Sequence, residues 1–338
     1  MAGPLIQGTP GDGATALKAP PGPARILPGA GRAAALAARR LLMLLLLLAA
    51  VFAAIEVLPG DAARSVSERG ESAADLAARR AALGLDRPVA ARFRDWMTGL
   101  PTGDLGTTAR GQKVTDVLAG PFPNTLLLGV LALLLSVIGA LALGSWATLR
   151  PGGRIDRIIA VAATAAFALP EFVVSVALLL LLSQWTGWLP AVTLTGPDGA
   201  PASWDMLVLP LLALAIPQIG WNTRIVRGAL ADQAALPHVQ AAILDGLPRR
   251  RVLTHHMLPG ALPAVAVSTA TSAGMLLGGA VVVETLFNYP GIGAVLATAI
   301  TDRDTPLVAG VVAATGATVS VLLLLADLIR DRVLGARP

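Results

Sequence analysis

The chain has 338 residues, 55% hydrophobic, 14% charged and 4% aromatic, with a formal net charge of +5 and a mean hydropathy of +0.70. Those values exclude an ordinary soluble domain, because the apolar residues come in blocks of the length that a roughly 30 Å hydrocarbon core requires of a helix. The absence of cysteine excludes disulfides, thiolate metal sites and cysteine nucleophiles, and arginines gathered in short loops beside the blocks follow membrane topology rather than a nucleic-acid groove.

Residues 1–31, rich in Pro and Gly, read as a disordered cytoplasmic tail. Arg39 and Arg40 then lead into "LLMLLLLLAAVFAAI", a first transmembrane helix over 33–55 with the arginines snorkelling at its inner end. The segment 56–121 is a long extracytoplasmic loop with short helices of its own. In "ESAADLAARRAALGLDRP", Ser72 is placed as an N-cap, acids come early, arginines late, and Gly84 is the stop. Phe93, Trp96, Met97 and Leu100 follow helical spacing, a strip for the membrane interface or, as the commoner case, for packing on the spans. The core, 122–330, carries five more apolar blocks at 125–149, 158–183, 206–223, 260–283 and 307–326, of which 206–223 is short and holds two prolines. The expected fold class is therefore all-α and integral to the membrane, with six transmembrane helices and a short tail at 331–338.

Loop charge sets the orientation. Segments 1–40, 150–157, 224–259 and 327–338 hold five, three, five and three Lys/Arg, whereas 184–205 holds none and 287–306 only Arg303. The positive-inside rule puts the first group and both termini in the cytoplasm; the long loop's nine basic residues are not bound by that rule.

Few polar residues interrupt the blocks. Glu171 follows Pro170 inside the third. A carboxylate there is expensive, so it reads as a residue lining or gating a pathway, or else as a packing hydrogen bond. Gly274 and Gly278 in the fifth block have the small-residue spacing of close helix packing, within one subunit or beside a pore at a subunit interface. Glu284 and "NYPGIG" stand at that block's outer end, and Glu284 joins Pro170 and Glu171 as a candidate pathway or gate residue.

The densest charge lies in "QAAILDGLPRRRVLTHHMLP", 240–259. Ala241 and Ala242 let another surface approach, Gly246 ends one helix after Asp245, and Pro248 after Leu247 can start the next. Arg249, Arg250 and Arg251 follow. From spacing alone this is either a docking knob of two short helices or a solvated basic loop that only fixes topology. No phosphate-binding Gly-x4-Gly-Lys-Ser/Thr loop occurs, so any ATPase is a separate subunit. His238, His255 and His256 lack the companions of a metal site, and no nucleophile elbow appears. We therefore expect no metal, cofactor or catalytic residue in this chain.

The loop's spacing resembles the EAA loop of ATP-binding-cassette importer permeases: Glu-Ala-Ala, three residues, Gly, nine residues, an apolar residue, x, Leu-Pro. "LPGD" 58–61, "LGLDRP" 83–88, "GDLG" 103–106, "NTLLLG" 124–129, "LPEFV" 169–173, "GWLP" 187–190, "GGAVVVETLFNYPGIG" 278–293 and "DRDTPLVAG" 302–310 are similar to the dipeptide/oligopeptide/nickel branch of that family. The resemblance implies the type I importer permease fold in a bacterial cytoplasmic (inner) membrane. It implies half a translocation path for peptides or a related small solute, completed by a second homologous permease. Two ATPase subunits that bind ATP and Mg would dock on Gln240, Ala241, Ala242, Asp245, Gly246, Leu247, Arg249, Arg250 and His256. An extracytoplasmic solute-binding protein would deliver the solute, and "NYPGIG" would belong to an external gate. Two departures stand out: Gln240 replaces the family's glutamate, and His256-Met-Leu-Pro-Gly-Ala-Leu262 replaces the branch's His-Ala-Leu-Arg-Asn-Ala-Leu. An ion-gradient-driven secondary transporter is the alternative; it would need several intramembrane ionisable sites, usually in paired repeats.

Overall fold

The computed structural model describes residues 29–57, 60, 62–67 and 72–335, and those residues are helical almost throughout. Most of the expected N-terminal tail and of "LPGD", with the last three residues, lies outside them. In chain order the helices are α1 (Gly29–Val57), α2 (Ala62–Ser65), α3 (Ala73–Ala82), α4 (Val89–Gly99), α5 (Val114–Leu118), α6 (Pro121–Leu149) and α7 (Arg154–Ala168). They continue with α8 (Glu171–Leu178), α9 (Val208–Ala234), α10 (Pro237–Leu244), α11 (Arg249–Val252), α12 (Leu258–Leu286), α13 (Ile292–Thr301) and α14 (Thr305–Gly335). Five helical stretches are long and apolar enough to cross a membrane, and six if the bent pair α7 and α8 forms one span.

Helix α9 is the hub. It packs against α6, α7, α8 and α12, while α14 lies against α12 and α1. Its central position explains its mixed composition: Gln218, Asn222 and Thr223 are buried inside the protein and never meet lipid. Asn222 donates to the hydroxyls of Ser136 on α6 (2.9 Å) and Ser272 on α12 (2.8 Å), and accepts from Ser268 on α12 (2.5 Å). One amide thus fixes the register of three helices. The block expected to end at 223 continues as helix to Ala234, with Val226 and Leu230 buried in a core cluster while Arg224 and Asp232 are exposed.

The third block is not the continuous helix its composition suggests. Leu169 turns to extended backbone (ψ 127°) before Pro170, and the two halves meet at 104°. A residue before proline is pushed out of the α region, and the proline supplies no N–H to carry the ladder on. Glu171 therefore opens a new helix at a break rather than sitting mid-span. Segment 287–306, expected as a plain loop, contains the apolar helix α13, packed on α12 and α14.

The outer segment is bound to this frame. Ser72 and Asp75 close a reciprocal capping box on α3, with Ser72 holding the Asp75 carboxyl below its usual range. The strip on α4 packs: Phe52 of α1 meets Phe93 edge-on at 5.1 Å and Trp96 at 5.3 Å, and the Trp96 indole donates to the Leu105 carbonyl. Asp304 accepts from the backbone N–H groups of Ala109 (2.6 Å) and Leu307 (3.2 Å), tying the outer loop to the start of α14.

Candidate functional site

The arginine-rich segments meet at one end of the bundle. Helix α10 ends at Asp245 and Gly246, the latter left-handed at φ +76° with open space around it, and Pro248 starts α11. This is the reversal that glycine makes without strain. Val239, Ala242, Val252, Leu253 and Met257 face inward and form one cluster with Ala140 of α6, Val226 and Leu230 of α9, and Ala261 and Val265 of α12. Burial of that kind is worth about 1.5–3 kcal/mol for each large aliphatic side chain, so the loop is seated rather than solvated. Its other face holds exposed Gln240, Ala241, Ile243, Leu244, Asp245, Arg250 and Arg251. Leu244 is 87% exposed, an unusual cost for a leucine beside a well-built core. His256 lies half-buried in the turn Leu253–Met257, away from that face's tip.

Two contacts brace the loop. The Gln240 amide donates to the Ala234 carbonyl at the end of α9 (2.6 Å), and the Arg249 guanidinium donates to the Leu149 carbonyl at the end of α6 (3.0 Å). Beside them a cavity of about 600 Å³ is lined by Asp156, Arg224, Arg227, Leu247, Arg249 and neighbours. Asp156 and Arg227 form a two-pronged ion pair (2.6 and 3.2 Å), and Asp156 also accepts from the Gly152 N–H, joining the α6–α7 turn to α9. Sequence reading counted Arg227 only among the loop charges and did not single out Asp156; nothing local marks them as a pair.

The break at Pro170 opens on a second cavity, about 380 Å³, lined by Phe167, Leu169, Pro170, Glu171, Phe172, Pro217, Gln218, Met275 and Val282. The Glu171 carboxylate lies against Gly279 of α12, where even a methyl group would overlap it. Among the described residues it has no hydrogen-bond or ion-pair partner. Gln218, 1% exposed, carries a buried Oε1 that is equally without a partner. The glycine that matters here is therefore Gly279. Within this chain a Cβ on Gly278 would touch nothing within 4 Å, while Gly274 would make only ordinary contact with Val319 of α14. Gln218 and Gly279 were missed in the sequence; a glutamine directly after a proline in an uncharged block was the available signal for the first.

Glu284 is elsewhere and differently held. It is fully buried, accepting from the Thr125 hydroxyl and the Gly293 N–H, both at 2.6 Å. Thr125 in turn accepts from the Ile292 N–H (2.9 Å), and Gly291 leaves the room that a side chain would take from the carboxylate. Tyr289, 1% exposed, donates to the Asn124 carbonyl, and Asn124 donates to the carbonyls of Gly199 and Pro290. Neither of the cavities described above includes Glu284. Its hydrogen bonds close the 288–293 turn onto α6 as a latch would.

Comparison with known proteins decides what this architecture belongs to. The model of the binding-protein-dependent transport system inner membrane component matches residues 140–334, and the N-terminal model of the same system matches 35–115. The chain belongs to this permease family. A protein named as a probable peptide ABC transporter permease in Sinorhizobium fredii is 30% identical over 280 residues, covering 82% of this chain and 90% of its own length. The glutathione transport system permease protein of Pectobacterium atrosepticum is 32% identical, covering 76% and 82%. The oligopeptide transport system permease protein of Mycobacterium tuberculosis is 33% identical, covering 73% and 80%. A chain from the inward-facing methionine ABC transporter MetNI gives a TM-score of 0.49 at 16% identity, over 65% of this chain and 95% of that one. The permease is thus a multi-pass membrane subunit of an ATP-binding-cassette importer, and nothing found supports an ion-gradient carrier.

Proposed function

We propose that this permease forms half of a peptide translocation path in a bacterial inner membrane and is driven by separate ATPase subunits seated on its α10–α11 loop. The observation that carries the reading is the loop itself. One face is locked to α6, α9 and α12 by an apolar cluster, and the other presents Leu244 and Ile243 beside Arg250 and Arg251. A rigid knob with an apolar tip and a basic rim transmits force only if its partner grips it differently in two states. ATP and Mg would be bound by those ATPase subunits, two of them, and a second homologous permease would complete the path. An extracytoplasmic binding protein would bring the solute to the end formed by 103–114, 193–206 and 287–304. Clustering of the basic loops at the α10–α11 end supports cytoplasmic termini. Peptide cargo is supported by the relatives' names.

The test is Gly246→Val in the reconstituted complex. A β-branched residue at φ +76° is strained, so ATPase co-purification and ATP-driven uptake should both fall at least about tenfold, a cost of roughly 1.4 kcal/mol or more, with the chain still inserted. Unchanged association and uptake would reject the docking role.

A further inference from the structure

The cavity at the Pro170 break holds two acceptors with no donor. Glu171 offers a carboxylate that no described residue neutralises, and Gln218 offers a buried Oε1 that no N–H or O–H reaches. The other lining side chains, among them Phe167, Phe172, Met275 and Val282, are apolar. Arg224 stands 5.9 Å from the Phe167 ring centroid, yet it lines the inner cavity and not this one. Two features place the carboxylate there: the chain break before Glu171, and Gly279, which yields the space. An unpaired carboxylate in a low-dielectric wall is costly unless it takes up a proton or a cation comes to it, and an ammonium group supplies either. No group of three or more potential metal ligands occurs among the described residues, so a metal ion is poorly served. An ammonium group has three donors for these acceptors, and the apolar walls suit the carbon body attached to it.

We infer that Glu171 and Gln218 form a waypoint for the ammonium group of the cargo, such as the free amino terminus of a short peptide, on the path through the membrane. The inference rests on the importer reading above. It makes the path selective by charge: an amine is held at Glu171, and an anionic group at the same depth is repelled.

Because the chain has no cysteine, Phe172→Cys places its single thiol at the cavity. In the assembled transporter this chain is labelled with a cationic or an anionic methanethiosulfonate of similar size. The cation-to-anion rate ratio should fall at least about tenfold when Glu171→Gln is added, as removal of one unit charge in a poorly screened site requires. A peptide with a free amino terminus should slow labelling, and its N-acetyl form should not. With the binding protein saturated, Glu171→Gln should cut uptake of the free-amine peptide at least about fivefold, and Glu171→Asp should retain most of it. An unchanged ratio, or full uptake by Glu171→Gln, overturns the inference while leaving the importer intact. If the complex moves no peptide but the ratio still depends on Glu171, the peptide reading fails and the cation subsite stands. Should Phe172→Cys not assemble, Met275→Cys on the opposite wall gives the same readout.

Discussion

Two acids within the membrane-spanning helices, Glu171 and Glu284, have the same functional group and opposite circumstances. Glu284 has no exposure, two donors at 2.6 Å, and a glycine on the facing turn cleared to make room for it. Glu171 has a cleared glycine too, but an open cavity in place of donors. A saturated buried carboxylate holds structure together; an unsatisfied one beside a cavity leaves its interaction for something that arrives. In both cases the glycine shows that the carboxylate's position is built in, and the partners show what it is for.

Four substitutions or titrations can break that contrast. The largest effect belongs to Glu284→Ala, which strands the Thr125 hydroxyl and the Gly293 N–H in a dry site. Leaving two buried donors without a partner should cost about 3 kcal/mol, read as a lower unfolding midpoint and faster proteolysis at 288–293. If stability is unchanged, Glu284 is no latch. Glu171→Gln should go the other way, leaving stability equal or raised by about 1 kcal/mol, because no bond is lost and a desolvated charge is removed. A stability loss of the Glu284 size would mean that Glu171 also holds structure. Gln240→Glu tests a third carboxylate, one introduced where the native amide donates. A carboxylate cannot donate to the Ala234 carbonyl, so about 1 kcal/mol of local stability should go, seen as faster hydrogen exchange at 236–246 and looser coupling of ATP hydrolysis to uptake. The smallest effect is a titration. Burial is the main influence on Asp304 and raises its pKa, against the lowering pull of the Ala109 and Leu307 N–H groups. A carboxyl that holds its proton more tightly when folded contributes stability below the unfolded value of about 3.9, and this is lost as pH rises through the folded value. Melting of the complex should therefore decline across that window, and less steeply in Asp304→Asn.

The sequence made the spans visible because membranes impose blocks, and Gly246 with Pro248 marked the α10–α11 reversal, although spacing alone left that loop open between a docking knob and a solvated basic loop. Capping at Ser72 and packing of Phe93 and Trp96 were readable for the same local reason. The break at Leu169–Pro170 was half-readable: the proline was seen, yet composition cannot distinguish a kinked helix from two helices at 104°. Gln218, Gly279 and the Asp156–Arg227 pair were hidden, since each depends on a residue far away in the chain. Glu284 was singled out as a pathway or gate candidate, but its donors Thr125 and Gly293 were not foreseen, because a lone acid carries no sign of what surrounds it.

The hydrogen bonds of Asn222 to Ser136, Ser268 and Ser272 set a mechanical condition. Sliding α6 or α12 past α9 by one residue would sever this three-way rivet, so these helices turn as one lever. An alternating path must then pivot where no such rivet exists. The elbow at Leu169–Pro170 is such a place, and a hinge there would lie next to Glu171, the proposed waypoint of the cargo.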